Sequence, residues 1–313
     1  MSKKELEKPE ERKKVVLVST WRIILNEIWT DKRAFISAII FLSLLLFVFI
    51  GSVIIGTENA LAFDLFNMNQ PPTWWIWGPG GSETGGILGT DTAGRDMFQI
   101  LMVSTRNSIA IGFTVSILSI ITGLIIGLIA GFYGGHVDNV IMRIIDFIII
   151  LPTTMLLITI RSIIVGFDIT HLILILYAFG WQARARNIRG VTLGERVKEY
   201  VLASKTLGTP NIVIIFKKVL PNLTAVVAAD VVLTLSLGVG MEVGLTALGF
   251  GLPVGTPSIG NLVANALQPI NLQVRVWNWL PAIIILFIIM ITINFIGQAV
   301  SRASNAQQRM SSN

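Results

Sequence analysis

Runs of about twenty apolar residues recur along this chain, and no other feature constrains its fold as strongly. Bilayer hydrocarbon is about 30 Å thick, so a helix that crosses it needs roughly 20 such residues. Six stretches meet or approach that length: Ala34–Gly56, Ile109–Phe132, Ile144–Val165, Ile169–Trp181 continuing to about Arg186, Ala225–Leu245 and Leu280–Ala299. Pro152 lies in the third, which spanning helices tolerate where neighbours or water satisfy the freed carbonyl. Only Gly166-Phe167-Asp168, a tight turn, separates the third from the fourth. With 53% hydrophobic and 13% charged residues, the chain carries about half the charge of a soluble domain. The expected fold is all-α, a polytopic membrane protein with six transmembrane helices. The first run follows 33 mostly polar residues and exceeds the roughly 7–15 residues of a signal-peptide core, so it is read as a retained anchor.

The cations orient these spans. Nine Lys/Arg precede Ala34, Arg143 lies between the second and third spans, eight fall between Gln182 and Lys218, and Arg302 and Arg309 follow the last span. Arg95, Arg106 and Arg275 take the other side, and Arg161 falls within the third span. The positive-inside rule then places both termini in the cytoplasm, the parity that six spans require. Residues 1–33 read as an N-terminal cytoplasmic tail, 34–56 as the first span and 57–108 as an extracytoplasmic loop. Residues 109–300 form a core of five helices with a cytoplasmic loop at about 182–221, and 301–313 a C-terminal tail. The net charge of +6 is spread along one face of the membrane and forms no nucleic-acid patch.

Several chemistries are excluded or unsupported. There is no cysteine, hence no disulfide, thiolate metal site or cysteine nucleophile. His136 and His171 lack ligand-spaced companions, so no metal site is expected. No phosphate cradle of the G-x-x-x-x-G-K-[ST] type occurs, so any ATP is hydrolysed by another polypeptide and the chain is not itself an enzyme.

One stretch is out of keeping with a lipid-facing chain: "EYVLASKTLGTPNIVIIFKKVLP", Glu199 to Pro221. Tyr200, Ala203, Ser204 and Leu207 recur at i, i+3, i+4 and i+7, one weakly apolar, small-residue face of a short helix. Gly208 stands where a helix C′ residue takes a left-handed conformation, Pro210 follows, and the chain restarts at Asn211. A short helix beside the membrane with small residues at its centre suits a groove of another protein, with Lys198, Glu199 and Lys205 able to pair at its rim. A charged loop without structure is the alternative.

The spacing of Ala203, Gly208 and Leu220-Pro221 resembles the coupling loop of ABC importer permeases. In that family the loop fits a cleft of the cytoplasmic ATPase. Leu202 replaces the consensus Glu, Ser204 its second Ala and Lys218 its Ile. The form with Glu199-Tyr200-Val201, Ala203-Ser204, Leu207-Gly208 and Leu220-Pro221-Asn222 is similar to the oligopeptide/dipeptide branch. "LGTDTAGRD" (Leu88–Asp96), "GGHVDNVIMRIIDFIIILP" (Gly134–Pro152) and "EVGLTALGFG" with "TPSIGN" (Glu242–Asn261) resemble the second, C-type membrane subunit of that branch, with Ala247 and Ile259 in place of Phe and Trp. The resemblance spans about residues 20–300. It implies a type I ABC importer transmembrane-domain fold, a homologous second permease, two ATP-binding subunits that bind ATP and Mg, and an extracellular solute-binding protein. No cofactor is implied in this chain. It also implies di- or oligopeptides as cargo, with oligosaccharides or nickel chelates as alternatives. A secondary transporter would show inverted repeats, and no repeat is evident; a scaffold would leave the coupling loop unexplained.

The remaining candidates are charged or aromatic. Charges inside spans cost at least about 2.5–3.5 kcal/mol and call for a partner or a watery cavity. Asp230 and Glu242 fall in the fifth span, twelve residues and about 120° apart, so they do not form one site. Arg161, Asp230 and Glu242 are candidates for the translocation path or its gate; Glu242 pairing with Arg161, or capping broken backbone in "GVGMEVG", is the other reading. Asp146 and Arg143 read as anchors at the start of the third span. In the outer loop Thr90 or Asp91 is the expected N-cap of the next helix. Gly89, Thr90, Asp91, Gly94, Arg95 and Asp96 either build local loop structure or touch a docked binding protein. Trp74, Trp75 and Trp77 read as interfacial anchors or as a stacking platform. Gly249–Leu267 is too rich in Gly and Pro to span and reads as a surface or re-entrant gate.

Overall fold

The computed structural model describes residues 20–74 and 85–312, with side chains for 22–74 and 85–303; the segments beyond, including Trp75 and Trp77, lie outside it. Among the described residues the regular structure is helical, apart from one isolated bridge between Thr90 and Asp96. The first half comprises α1 (Thr20–Thr30), α2 (Lys32–Ile55), α3 (Thr57–Ala60), α4 (Met97–Tyr133), α5 (Gly135–Ile150), α6 (Thr153–Ile163) and α7 (Ile169–Ala178). The second comprises α8 (Trp181–Glu195), α9 (Glu199–Thr206), α10 (Asn211–Ile214), α11 (Leu220–Ala247), α12 (Ile259–Ala264), α13 (Pro269–Gln273) and α14 (Leu280–Ser312). The apolar pattern survives as α2, α4, α14 and the run from Asn211 through α11, each long and apolar enough to cross a membrane.

The other two expected spans are broken. α5 and α6 meet at Leu151-Pro152 with a bend of 74°, because proline removes a backbone donor and biases its predecessor away from helix. The expected fourth span is divided at Phe179-Gly180 into α7 and α8, and the ten residues of α7 are too few to cross alone. The turn before α7 matches the reading: Gly166 has φ +72°, Phe167 is buried, and Asp168 caps α7 through the His171 amide at 3.0 Å. That amide, then the His171 ring, holds the Asp168 carboxyl below its usual range.

Two extensions exceed the hydropathy pattern. α4 begins twelve residues before Ile109, and its 37 residues measure about 55 Å at roughly 1.5 Å each. α1, in the stretch read as tail, packs Ile24 against Ala229, Val300 and Ala303. Arg302 then pairs with Glu27 at 3.2 Å and with Asp31, the N-cap of α2. Among the described residues, α1 and the late part of α14 around Val300–Ala303 therefore share one end of the bundle.

Close helix approach organises the centre. A Cβ added at Gly123 would lie 2.5 Å from Arg184 Cβ, one at Gly127 2.6 Å from the Ala185 carbonyl oxygen, and one at Gly131 2.6 Å from Thr192 Cβ. These three glycines, four residues apart, form a ridge on α4 against which α8 lies. Without a hydrophobic drive between helices in lipid, such small-residue contact is what holds them together. Gly127→Leu is expected to push α8 off this ridge, with an overpacking cost of about 1–3 kcal/mol seen as a lower thermal midpoint in detergent.

Candidate functional site

The segment after α8 is built as a short lever. Lys198 and Glu199 open α9, and Val201 is its anchor, fully buried with Phe132, Leu128, Ile214 and Val219. Gly208 has φ +74°, its amide donates to the Lys205 carbonyl at 3.0 Å, and the Thr209 amide donates to the Ser204 carbonyl at 3.1 Å. Those two bonds define a Schellman stop, which needs a residue free to take positive φ. Pro210 then starts α10, a π turn over Ile215–Val219 follows, and Leu220-Pro221 opens α11. The loop is ordered helix on both sides of the break, and the second half is continuous with a membrane helix.

The face offered outward differs from the expected one. Leu202, Ala203, Thr206 and Leu207 are exposed, with Leu207 at 84%, while Tyr200 and Ser204 turn inward. Tyr200 Oη donates to Glu195 Oε1 at 2.6 Å and Ser204 Oγ to the Tyr200 carbonyl at 2.7 Å. Burial, followed by Glu195, pushes the Tyr200 hydroxyl well above its ordinary range, so it stays a donor. Two of the expected rim cations are spent internally: Lys198 pairs with Glu195 at 2.8 Å, and Lys205 Nζ lies 4.7 Å above the Phe132 ring. Glu199 remains exposed in the first turn. Tyr200→Phe is expected to destabilise the α8–α9 junction by about 1–2 kcal/mol, read as a faster protease cut at this junction.

The charges within and beside the membrane helices find partners that sequence reasoning missed. Asp230 on α11 binds Arg184 of α8 at 2.7 Å. Asp138 takes Arg189 in a two-pronged bond, one arm at 2.8 Å, and Asp146 takes Arg186. α8 thus carries three arginines that meet acids on α5 and α11. The available signal was opposite charges at matching depth in adjacent spans, whereas Arg184, Arg186 and Arg189 had been read only as orienting charges. Because α5 starts at Gly135, Asp146 sits late in it, not at an N-terminus as expected. Glu242 is fully buried and does not pair with Arg161. Thr246 Oγ1 donates to its Oε1 at 3.1 Å, and the Ser108 and Ser258 hydroxyls lie alongside. α11 is unbroken through "GVGMEVG", so no frayed backbone needs a cap there. Arg161 instead donates from Nε to the Gly251 carbonyl at 3.1 Å and stacks over Phe167 at 4.4 Å.

At the opposite end, "LGTDTAGRD" folds on itself. Asp91 Oδ1 accepts the Ala93 and Arg95 amides at 2.8 and 2.9 Å, and its Oδ2 takes Arg95 Nε at 2.7 Å. Thr90 Oγ1 accepts the Gln70 amide at 2.8 Å. The N-cap of α4 is neither of these but Asp96, whose Oδ1 accepts the Phe98 amide at 2.7 Å. A Cβ at Gly94 would fall 1.7 Å from the Asp64 carbonyl oxygen, and one at Gly89 2.7 Å from the Trp277 ring. Trp74 Nε1 donates to the Ile87 carbonyl at 2.6 Å. Residues 249–279 do not cross; α12 lies on the bundle with Ile259 buried, its amide donating to Ser108 Oγ at 2.9 Å.

Comparison with known proteins decides the family. Residues 123–309 match the family described as "Binding-protein-dependent transport system inner membrane component". The chain belongs to this family. It is 37% identical over 285 residues to the oligopeptide transport system permease protein OppC of Lactococcus lactis subsp. cremoris, covering 91% of this chain and 94% of that one. It is 30% identical over 271 residues to the dipeptide transport system permease protein DppC of Bacillus subtilis, covering 86% and 81%. Among solved structures, an inward-facing form of the MetNI methionine ABC transporter superposes with a TM-score of 0.54 at 20% identity, over 66% of this chain and 97% of that one. That likeness establishes a shared fold, the type I importer bundle. The chain is therefore a multi-pass transport permease.

Proposed function

We propose that this permease is one half of the translocation path of an ATP-driven importer of di- or oligopeptides. A homologous second permease would form the other half, two ATP- and Mg-binding subunits would dock at the α9 end, and an extracellular binding protein would deliver cargo at the α12 end. In this reading the α9 end and both termini are cytoplasmic, α7 with α8 supplies the sixth crossing, and ATP hydrolysis lies outside this chain. The peptide cargo is carried by the names of the oligopeptide and dipeptide relatives.

The observation that carries the coupling role is α9 itself. It is anchored by Val201, stopped by Gly208, joined through the short Gly208-Thr209-Pro210 turn to the helical run that becomes α11, and it presents Leu202 and Leu207 to the outside. A rigid apolar knob on the end of a membrane helix transmits a push, where a floppy loop would absorb it. Asp230 and Glu242 are paired or enclosed within the chain, so they are proposed as structural supports of the path and not as cargo ligands. The Leu88–Asp96 motif is proposed to shape the loop that meets the binding protein, with Asp91 and Arg95 fixing its curve. The test is uptake of a labelled tripeptide by proteoliposomes holding the whole assembly. ATP-dependent accumulation supports the reading; uptake driven equally by an ion gradient without ATP overturns it.

A further inference from the structure

The segment from Leu252 to Asn261 hangs on three hydroxyls. The Leu252 amide donates to Thr246 Oγ1 at 3.2 Å, the Ile259 amide to Ser108 Oγ at 2.9 Å and the Asn261 amide to Ser258 Oγ at 3.1 Å. Ser108 belongs to α4, Thr246 to α11, and Ser258 is the N-cap of α12. All three stand around the carboxyl of Glu242. Thr246 Oγ1 donates to its Oε1 at 3.1 Å, with the Ser108 and Ser258 hydroxyls alongside. Each of these four residues is 1% exposed or less. The segment closes tightly on Thr246, since a Cβ at Gly260 would lie 2.5 Å from the Thr246 Cβ and one at Gly251 2.1 Å from its Oγ1.

A hydroxyl has one hydrogen to give and lone pairs that receive, whereas an ionised carboxylate only receives. Each of the three hydroxyl oxygens already holds a backbone amide, so each hydrogen needs an acceptor elsewhere. Among the described residues, Glu242 Oε2 meets no donor, and no other acceptor takes the hydrogens of Ser108 and Ser258. Buried polar groups are rarely left in that condition, and turning both hydrogens toward Oε2 satisfies all three groups. We propose that Glu242 is the positioning residue of the outer segment. By receiving three hydroxyl hydrogens it turns three hydroxyl oxygens toward the amides of Leu252, Ile259 and Asn261, and so holds that segment down on α4 and α11. The segment supplies one wall of a cavity of about 170 Å³, which Thr256, Pro257 and Asn261 line together with Asp91 and Arg95. The inference rests on the importer reading for its consequence, that this held wall is what cargo passes on entry at the α12 end. It explains why a carboxyl is kept at membrane depth, where its burial is costly, without a cation beside it.

The chain has no cysteine, so Leu252→Cys, at a position 3% exposed, is a unique reporter of the segment within this subunit. In the purified assembly without ATP, adding Glu242→Gln puts N–H donors where a carboxylate oxygen received hydrogens. Maleimide labelling of the reporter is then expected to speed up at least tenfold. Ser108→Ala, which keeps the carboxylate and withdraws one hydroxyl, should speed it at least threefold, so the comparison does not depend on Glu242→Gln assembling. A control reporter, Ser119→Cys, at a position 1% exposed on α4, should label as slowly in both variants as in the parent. Unchanged labelling of Leu252→Cys in the variants would overturn the inference. Equal acceleration at Ser119→Cys would overturn it too, because Glu242 would then support the whole bundle and not this segment. Failure of the importer reading is distinguishable, since it would show as absent ATP-driven uptake by the parent, a measurement the labelling does not use.

Discussion

Asp230→Ala is expected to remove about 3–5 kcal/mol of stability, enough to lose most of the chain from the membrane, because it leaves Arg184 charged and unpartnered in a largely buried place. The pair is well sheltered, with the Asp230 side chain 8% exposed and the Arg184 side chain 18%. Arg184→Ala should cost a similar amount by stranding the carboxylate. The double substitution Arg184→Met with Asp230→Leu removes both charges and fills the space with apolar atoms, so it should recover to within about 1 kcal/mol of the parent. Denaturation midpoints of the parent, Arg184→Met, Asp230→Leu and the double variant, measured in one detergent, close the double-mutant cycle. Additive losses in the double variant would mean that the two residues act separately.

The second large effect is expected at the other end of α8. Leu202 and Leu207 are the exposed large apolar residues of α9 and its C-cap, at 49% and 84%. Leu202→Asp with Leu207→Asp should therefore leave the fold intact and cost the docking contact about 2 kcal/mol or more at each position. That is a roughly 1,000-fold loss of ATP-coupled uptake. A thermal midpoint unchanged from the parent, measured beside the uptake, separates lost docking from lost folding. Wild-type uptake by this variant would mean that α9 does not carry the push.

Much of this fold could be read from hydropathy, because in lipid the backbone must satisfy itself and long apolar runs have little choice but helix. α2, the core of α4, α11 and α14 were legible for that reason, as was the Gly208-Thr209-Pro210 stop, whose chemistry is local. What hydropathy cannot report is where a helix breaks and what lies beside it. The division at Phe179-Gly180 carries no proline, and the continuation of α4 back to Met97 runs through polar Gln99, Arg106 and Asn107. The α4 glycine ridge was visible as Gly123, Gly127 and Gly131, a four-residue period that needed only the small-residue packing rule to be noticed. The pairing of Arg184 with Asp230 needed the third dimension, since 46 residues separate them. The outward face of α9 was misassigned because its weak pattern is ambiguous, and only the burial of Val201 fixes which side meets the bundle.

If α9 is the contact through which partner ATPases drive this permease, its exposed apolar face decides whether they stay bound. The most direct test is purification in mild detergent of the parent chain and of the Leu202→Asp, Leu207→Asp variant from native membranes, with co-purifying polypeptides identified by mass spectrometry. The parent is expected to bring a second permease and two P-loop ATPases, and the variant to keep the permease while losing the ATPases. A parent chain that emerges alone, or a variant that retains its ATPases in full, would contradict it.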